Sequence, residues 1–351
     1  MINETAIKDF DPNAPGLKSN NIFGLPNHQE DAELIIIPIP WEVTVSYRPG
    51  TARGPEQVFD ESLQVDLFDP DYQDMWKKGY FMVPIDKNIR LKSDYLRGYA
   101  ELILGCLYEG GDIAENQQLC RKLQEVNEGG IYLKNWLYEL SSEFLKAGKK
   151  VAVLGGDHST PLGYIQALGN IYPDFGVLQI DAHADLRKAY EGFTYSHASI
   201  MYNVLNEIPQ VSKLVQVGTR DYCDEEAEYI QNHSDTITTF FDKDIKAAQY
   251  EGKSWKAICL DIIAALPEKV YLSFDIDGLD PKLCPNTGTP VPGGFELEQV
   301  FYLIRLLKEN GKQLIGFDLN EISSGAHGND CIDPIVGART LYKLCNILAA
   351  G

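Results

Sequence analysis

The 351-residue chain lacks any apolar run near the roughly 18 residues that a membrane-spanning helix needs. It is also poor in basic residues, with 31 Lys and Arg against 51 Asp and Glu and a formal net charge of -20. No basic stripe is present, which excludes a nucleic-acid partner. The seven cysteines (Cys106, Cys120, Cys223, Cys259, Cys284, Cys331 and Cys345) contain no C-x-x-C pair. A thiolate zinc site and a disulfide framework are thereby excluded, and reduced thiols are expected. The first eighteen residues have neither the basic start nor the apolar stretch of a signal peptide. Internal repeats and low-complexity tracts are missing as well. These absences leave a cytoplasmic enzyme or binding protein with no membrane partner. The acidic excess suits a cationic substrate or metal ions, although most of it serves as solvated surface.

What is present is a regular alternation of short apolar runs and helical patterns. Hydrophobic residues make up 44% of the chain, enough for a large core. Residues 1–32, rich in Asn, Pro and Asp, read as an N-terminal arm. Residues 33–351 read as one domain. Its first strand is the unbroken apolar run 34–39, followed by a Pro- and Gly-punctuated loop at 41–55 that forms an active-site wall. Pro55 is placed to start a helix. A second strand is expected at 81–85. Residues 86–130 read as a helical insertion, with a helix at 95–108 stopped by Gly110-Gly111 and a further break at Gly129-Gly130. A helix at 132–147 follows. Strands are then expected at 150–154, 176–180, 213–217, 236–240, 269–274 and 313–317. Helices are expected at 161–168, 198–205, 224–232, 255–265, 296–308 and 334–349. About eight Val/Ile/Leu-rich strands separated by helices mean a mainly parallel sheet covered on both faces. Periodicity alone also permits a closed eight-stranded barrel. Either way, ligands gather at the carboxyl ends of the strands.

That is where the charged residues fall. Asp181, His183 and Asp185 follow an apolar run and are spaced by two, so an extended backbone points all three to one side. His158 ends another run, with Asp157 beside it as a partner to orient its ring. Asp275 and Asp277 end a third, and Glu321 follows the last. Taken singly, an Asp or His at a strand end is most often a loop cap. Taken together, two histidines and four aspartates are too many ligands for one ion and suit two, with some carboxylates shared. Mixed carboxylate and imidazole donors favour Mn, Fe, Ni or Zn over Ca or Mg.

The stretches Gly155-Gly156-Asp157-His158-Ser159, Asp181-Ala182-His183-Ala184-Asp185 and Ser273-Phe274-Asp275-Ile276-Asp277-Gly278-Leu279-Asp280-Pro281 resemble the three signature motifs of the ureohydrolase (arginase/agmatinase) family. The resemblance covers about residues 33–350 and is strongest to bacterial agmatinases. It implies a three-layer α/β/α sandwich with an eight-stranded sheet, and so an open sheet rather than a barrel. It implies two divalent metal ions, Mn2+ foremost with Ni2+ acceptable to the same donors, and a homotrimer or homohexamer. By motif position, His158, Asp181, Asp185 and Asp275 hold one ion. Asp181, His183, Asp275 and Asp277 hold the other. The implied reaction is hydrolysis of a small cationic guanidino compound to urea and an amine. Asp185 then orients the attacking water, Glu321 pairs with the guanidinium, and His197 shuttles a proton. His28, His233 and His327 lack any motif context and read as surface or structural residues.

The substrate is set by loops. The segment from Arg187 to His197 lacks the Asn- and Ser-rich run that grips the amino-acid end of arginine in arginases, and His197 disfavours a formimidoylglutamase. Agmatine is therefore the expected substrate. Trp41, Thr44 and Tyr47, if they narrow the pocket, favour free guanidine instead, and another guanidino acid or arginine is the further alternative. A metal-dependent amidohydrolase or deacetylase, or a non-catalytic metal-binding homologue, is the reading from outside the family.

Overall fold

The computed structural model describes residues 10–325 and 331–351. Eight strands form one open, wholly parallel sheet. They are β1 (Leu34–Pro38), β2 (Tyr80–Met82), β3 (Lys150–Leu154), β4 (Phe175–Ile180), β5 (Val211–Val217), β6 (Ile237–Phe240), β7 (Lys269–Asp275) and β8 (Gln313–Asn320). Their order is β2-β1-β3-β8-β7-β4-β5-β6. The two ends do not pair with each other, so the barrel is ruled out.

The described residues hold ten α-helices: α1 (Gly54–Ser62), α2 (Lys87–Tyr108), α3 (Gln117–Lys146), α4 (Leu162–Gly169), α5 (Ile200–Glu207), α6 (Asp224–Asn232), α7 (Asp242–Tyr250), α8 (Trp255–Ala264), α9 (Leu297–Glu309) and α10 (Ile332–Ala349). None is long and apolar enough to cross a membrane. The sheet divides the core in two. On β1, Leu34 and Ile36 pack into one cluster with α8, α9 and α10, while Ile35 and Ile37 pack into the other with α2, α3, α4 and α5. Both faces are buried because both sets of alternate side chains are apolar. Each such Ile or Leu stabilises the fold by about 1.5–3 kcal/mol when fully buried. The result is the expected three-layer α/β/α sandwich.

The differences from expectation are local. Gly129-Gly130 does not break the chain, because α3 runs through both residues to Lys146. Close packing accounts for these glycines. A Cβ at Gly129 would sit 2.2 Å from Leu96 Cδ1, and one at Gly130 would sit 2.6 Å from Tyr195 Cβ. Gly110 does stop α2, with φ +77 in the left-handed region that glycine tolerates. Helix α2 begins eight residues earlier than expected, at Lys87, where Asp86 caps it by accepting the N–H of Asn88 at 2.7 Å. Helix α7 was not expected at all. It is mostly polar, and its one buried apolar residue, Ile245, gives no periodic signal. Within the arm, Ile22, Phe23 and Leu25 are buried, and the Phe23 ring packs edge-on against Tyr342 with centroids 4.9 Å apart.

Candidate metal centre

All strands are parallel, so their carboxyl ends lie along one edge of the sheet. Between β3 and β4 the chain passes over two positions that β7 and β8 later fill. The loops after β3, β8, β7 and β4 are therefore neighbours there, and each carries an acid or a histidine. The loop after β3 lies against the loop after β1. A Cβ at Gly156 would come within 1.9 Å of the Trp41 carbonyl oxygen, so only glycine fits that approach.

His158, Asp181, Asp185 and Asp275 meet at a buried point. His158 Nδ1 lies 3.0 Å from Asp181 Oδ2, 3.0 Å from Asp185 Oδ2 and 3.3 Å from Asp275 Oδ2. Beside it, His183 Nδ1 lies 3.0 Å from Asp277 Oδ2 and 3.6 Å from Asp181 Oδ1. Two groups able to hold a cation result, His158-Asp181-Asp185 and Asp181-His183-Asp277, and Asp181 belongs to both. The carboxylates are held in a common manner. Asp181 Oδ1 accepts the His183 N–H at 2.6 Å, Asp275 Oδ1 the Asp277 N–H at 2.8 Å, and Asp277 Oδ1 the Ala182 N–H at 3.0 Å. In each, the other oxygen faces an imidazole, and that of Asp181 also accepts from Gln179 Nε2 at 2.8 Å.

The electrostatics are those of a site built around positive charge. Burial pushes Asp185 up to about 7, helped by the charge on Asp181. Asp275 is raised well above its usual range by burial, then by Asp277 and Asp181. Burial alone would raise Asp181 too, but the close His158 and His183 rings hold it below the normal carboxylate range. His158 and His183 are both raised; their burial opposes this, and the surrounding carboxylates outweigh it. His158 Nδ1, buried among three carboxylate oxygens, has no hydrogen-bond partner. Crowded buried acids around an unpartnered imidazole nitrogen match a pair of divalent cations with N and O donors.

Glu321 stands at the same point from β8, with its backbone at φ +63. Its Oε1 accepts the His158 N–H at 2.8 Å, and burial raises its carboxyl well above the usual range, with Asp157 adding to the effect. Together with His158, His183, Asp185 and Asp275 it lines a cavity of about 150 Å³ that also reaches Ser46, Arg187, Tyr190, His197, Asp221 and Glu226. His197 is held by Thr44, whose Oγ1 lies 3.3 Å from Nδ1, and by the Tyr190 ring, edge-on at 5.9 Å. Loss of water contact pushes His197 down to about 3, with the charges of His183 and His158 acting in the same direction. Glu226 is committed to the protein. It accepts from the Leu186 and Cys223 N–H groups at 3.0 Å each and lies 3.7 Å from Arg187 Nε.

Two expectations need correction. Asp157 does not orient the His158 ring; its Oδ1 accepts the Ser159 N–H at 3.0 Å in a tight local turn, as short acidic side chains do. The ring is met instead by Ser273, whose Oγ lies 2.8 Å from Nε2, and behind it by Asp318. Sequence reading missed both, although each is a polar residue within an apolar strand and Ser273 shares a face with Asp275. Trp41 and Tyr47 do not narrow the cavity, since Trp41 is 2% exposed in the core and Tyr47 is 66% exposed on the surface. Of that loop, Ser46 lines the cavity directly and Thr44 acts through His197. Residues 86–130 do not line the cavity but brace the loop that carries Tyr190 and His197. Tyr108 OH donates to Glu191 Oε1 at 3.0 Å, and Asn127 Oδ1 accepts the Thr194 N–H at 2.9 Å. His28 is exposed, and His233 stacks on Tyr229 with centroids 4.0 Å apart, both away from the site. His327 lies outside the described residues.

Comparison with known proteins agrees with this arrangement. A sequence model of the arginase family matches residues 32–345. The N(1)-aminopropylagmatine ureohydrolase of Thermus thermophilus is 30% identical over 296 residues, covering 84% of this chain and 84% of that protein. An agmatinase of Proteus mirabilis is 27% identical over 333 residues, covering 92% and 90% respectively. The crystal structure of agmatine ureohydrolase of Thermoplasma volcanium superposes with a TM-score of 0.69 at 21% identity, covering 97% of this chain and 96% of that one. The last likeness is one of fold.

Proposed function

This chain belongs to the arginase family, hydrolases that act on C–N bonds of linear amidines, and from that premise we propose that it hydrolyses agmatine to putrescine and urea. The observation that carries the reading is Glu321. Its Oε1 is fixed by the His158 N–H, and its Oε2, which takes no hydrogen bond among the described residues, is left for a guanidinium at the cavity floor. A buried carboxylate and a planar cation are a strong pair.

His158, Asp181, Asp185 and Asp275 would hold one divalent ion, and Asp181, His183, Asp275 and Asp277 the other. Mn2+ is the first candidate, and Ni2+ suits the same donors. Two cations held there lower the pKa of water, so that hydroxide is available near neutral pH. Glu321 binds and orients the guanidinium. Asp185 aims the attacking oxygen at the guanidinium carbon, and the tetrahedral adduct loses its alkylamine as urea forms. His197, neutral, would take up the proton released as the oxygen adds and pass it to the leaving nitrogen.

Free guanidine as substrate loses its support, since Trp41 and Tyr47 do not close the cavity. N(1)-aminopropylagmatine is the second reading, favoured by the Thermus relative. Assembly as a homotrimer or homohexamer in the cytoplasm completes the proposal. Leu91, Tyr95 and Leu102 on α2, exposed by 65%, 56% and 54%, support such an interface. The test is urea release from agmatine, N(1)-aminopropylagmatine, arginine, guanidinobutyrate, homoarginine and guanidine, with Mn2+ and Ni2+ in separate runs. Agmatine or its aminopropyl derivative should be turned over fastest. No urea from any of them, or a preference for guanidine, would sink the proposal.

A further inference from the structure

A buried carboxylate with no Lys or Arg beside it lies directly behind His158. Asp318 and Ser273 are both 0% exposed. Asp318 Oδ1 is 3.1 Å from Ser273 Oγ, and that hydroxyl is 2.8 Å from His158 Nε2. The direct distance from Nε2 to Asp318 Oδ1 is 3.7 Å, so the serine is the bridge. Asn320 Nδ2 also donates to Oδ1, and the Asn320 oxygen accepts from Thr160 Oγ1 at 2.9 Å. Asp318 Oδ2 makes no full hydrogen bond, although the Tyr271 hydroxyl and the Phe274 N–H face the carboxylate, and among the described residues no Lys or Arg pairs with it. An unpaired acid in such a place is costly.

The polarity of this chain follows from its end. An ionised carboxylate only accepts, so Ser273 must donate to it, and the serine oxygen is then free to accept from His158. We propose that Asp318, acting through Ser273, is a positioning residue for His158. The sequence His158 Nε2–H to Ser273 Oγ–H to Asp318 Oδ1 keeps the proton on Nε2 and leaves the lone pair of Nδ1 facing Asp181, Asp185 and Asp275. A divalent cation then meets a correctly oriented neutral imidazole, made more basic by the charge behind it. The inference rests on the reading of His158 as a metal ligand.

The experiment compares the wild-type protein with Asp318→Asn and Ser273→Ala. Each is stripped of metal and titrated with Mn2+, with bound ions counted by elemental analysis and the metal-free proteins melted. The 15N shifts of the His158 ring, read with diamagnetic Zn2+ in place of Mn2+, report its tautomer directly. Both variants should bind the ion at His158 about 10- to 100-fold more weakly. Their metal-free melting should be no lower than wild type, and the ring should lose its clean Nε2–H form. Wild-type affinity with an unchanged tautomer in both variants overturns the inference and leaves the metal reading intact. Weaker binding that merely follows lower stability in both variants overturns it too. A wild-type protein that takes up no Mn2+ overturns the metal reading and this inference together.

Discussion

Glu321 Oε1 accepts the main-chain N–H of His158 at 2.8 Å, tying the end of β8 to the loop after β3. The tie is reciprocal, because the Glu321 N–H donates to the Gly156 carbonyl at 2.8 Å. Thr287 Oγ1 adds a third bond, to the Glu321 carbonyl, also at 2.8 Å. A non-glycine residue at φ +63 is held only where its surroundings over-determine it. Here they place one carboxylate oxygen in the cavity and fix the other.

Glu321→Gln keeps the shape and removes the charge. Activity on the preferred guanidino substrate should fall at least thirty-fold, equivalent to about 2 kcal/mol for a buried charge pair. Bound metal should stay at the wild-type count. Elemental analysis alongside kcat/KM checks this, and loss of an ion would make Glu321 a ligand rather than a substrate anchor.

Asp181 belongs to both cation-holding groups, and Asp275 reaches His158 at 3.3 Å. Asp181→Ala and Asp275→Ala should each lose both ions and all measurable urea release. Retention of two ions by either variant refutes the shared role assigned to that residue.

His197 is held at about 3, well below the ordinary imidazole value, so it stays neutral as the pH falls from 9 to 5. It therefore cannot set the acid limb of the pH–rate profile. His197→Asn should lower kcat roughly a hundredfold, within the usual range for a proton-transfer group. The acid limb should keep its position. An acid limb that moves or vanishes in the variant would show that His197 titrates there.

Gly130→Ala places a methyl 2.6 Å from Tyr195 Cβ, two residues before His197. Overpacking of this kind costs about 1–3 kcal/mol. A lower melting temperature is expected, and kcat should drop through displacement of the 190–197 loop while metal content stays constant. A variant as stable and active as wild type would mean that α3 and this loop separate freely.

Much of the fold was legible because burial on both faces writes itself as near-continuous apolar runs. The strands at 34–39, 150–154 and 176–180 are such runs, and the structure places β1, β3 and β4 there. Polar stretches were less legible. Helix α7 buries one apolar side chain and so carries no period, and α3 hides its register because its paired glycines serve packing rather than a turn.

The sequence by itself determined that acids and histidines would converge. In a parallel sheet every strand end lies on the same edge, so motifs after successive strands must meet there, whatever the strand order. The Asp181-x-His183-x-Asp185 spacing needed only an extended backbone to share a side. Tertiary structure alone decided what stands behind those residues. The insertion of β8 between β3 and β7 brings Asp318 and Ser273 to His158, and the approach of Trp41 to Gly156 sends that indole into the core rather than the cavity. Strand periodicity is a property of neighbours in the chain. Contact across strands depends on which segments become adjacent, and no local pattern records that.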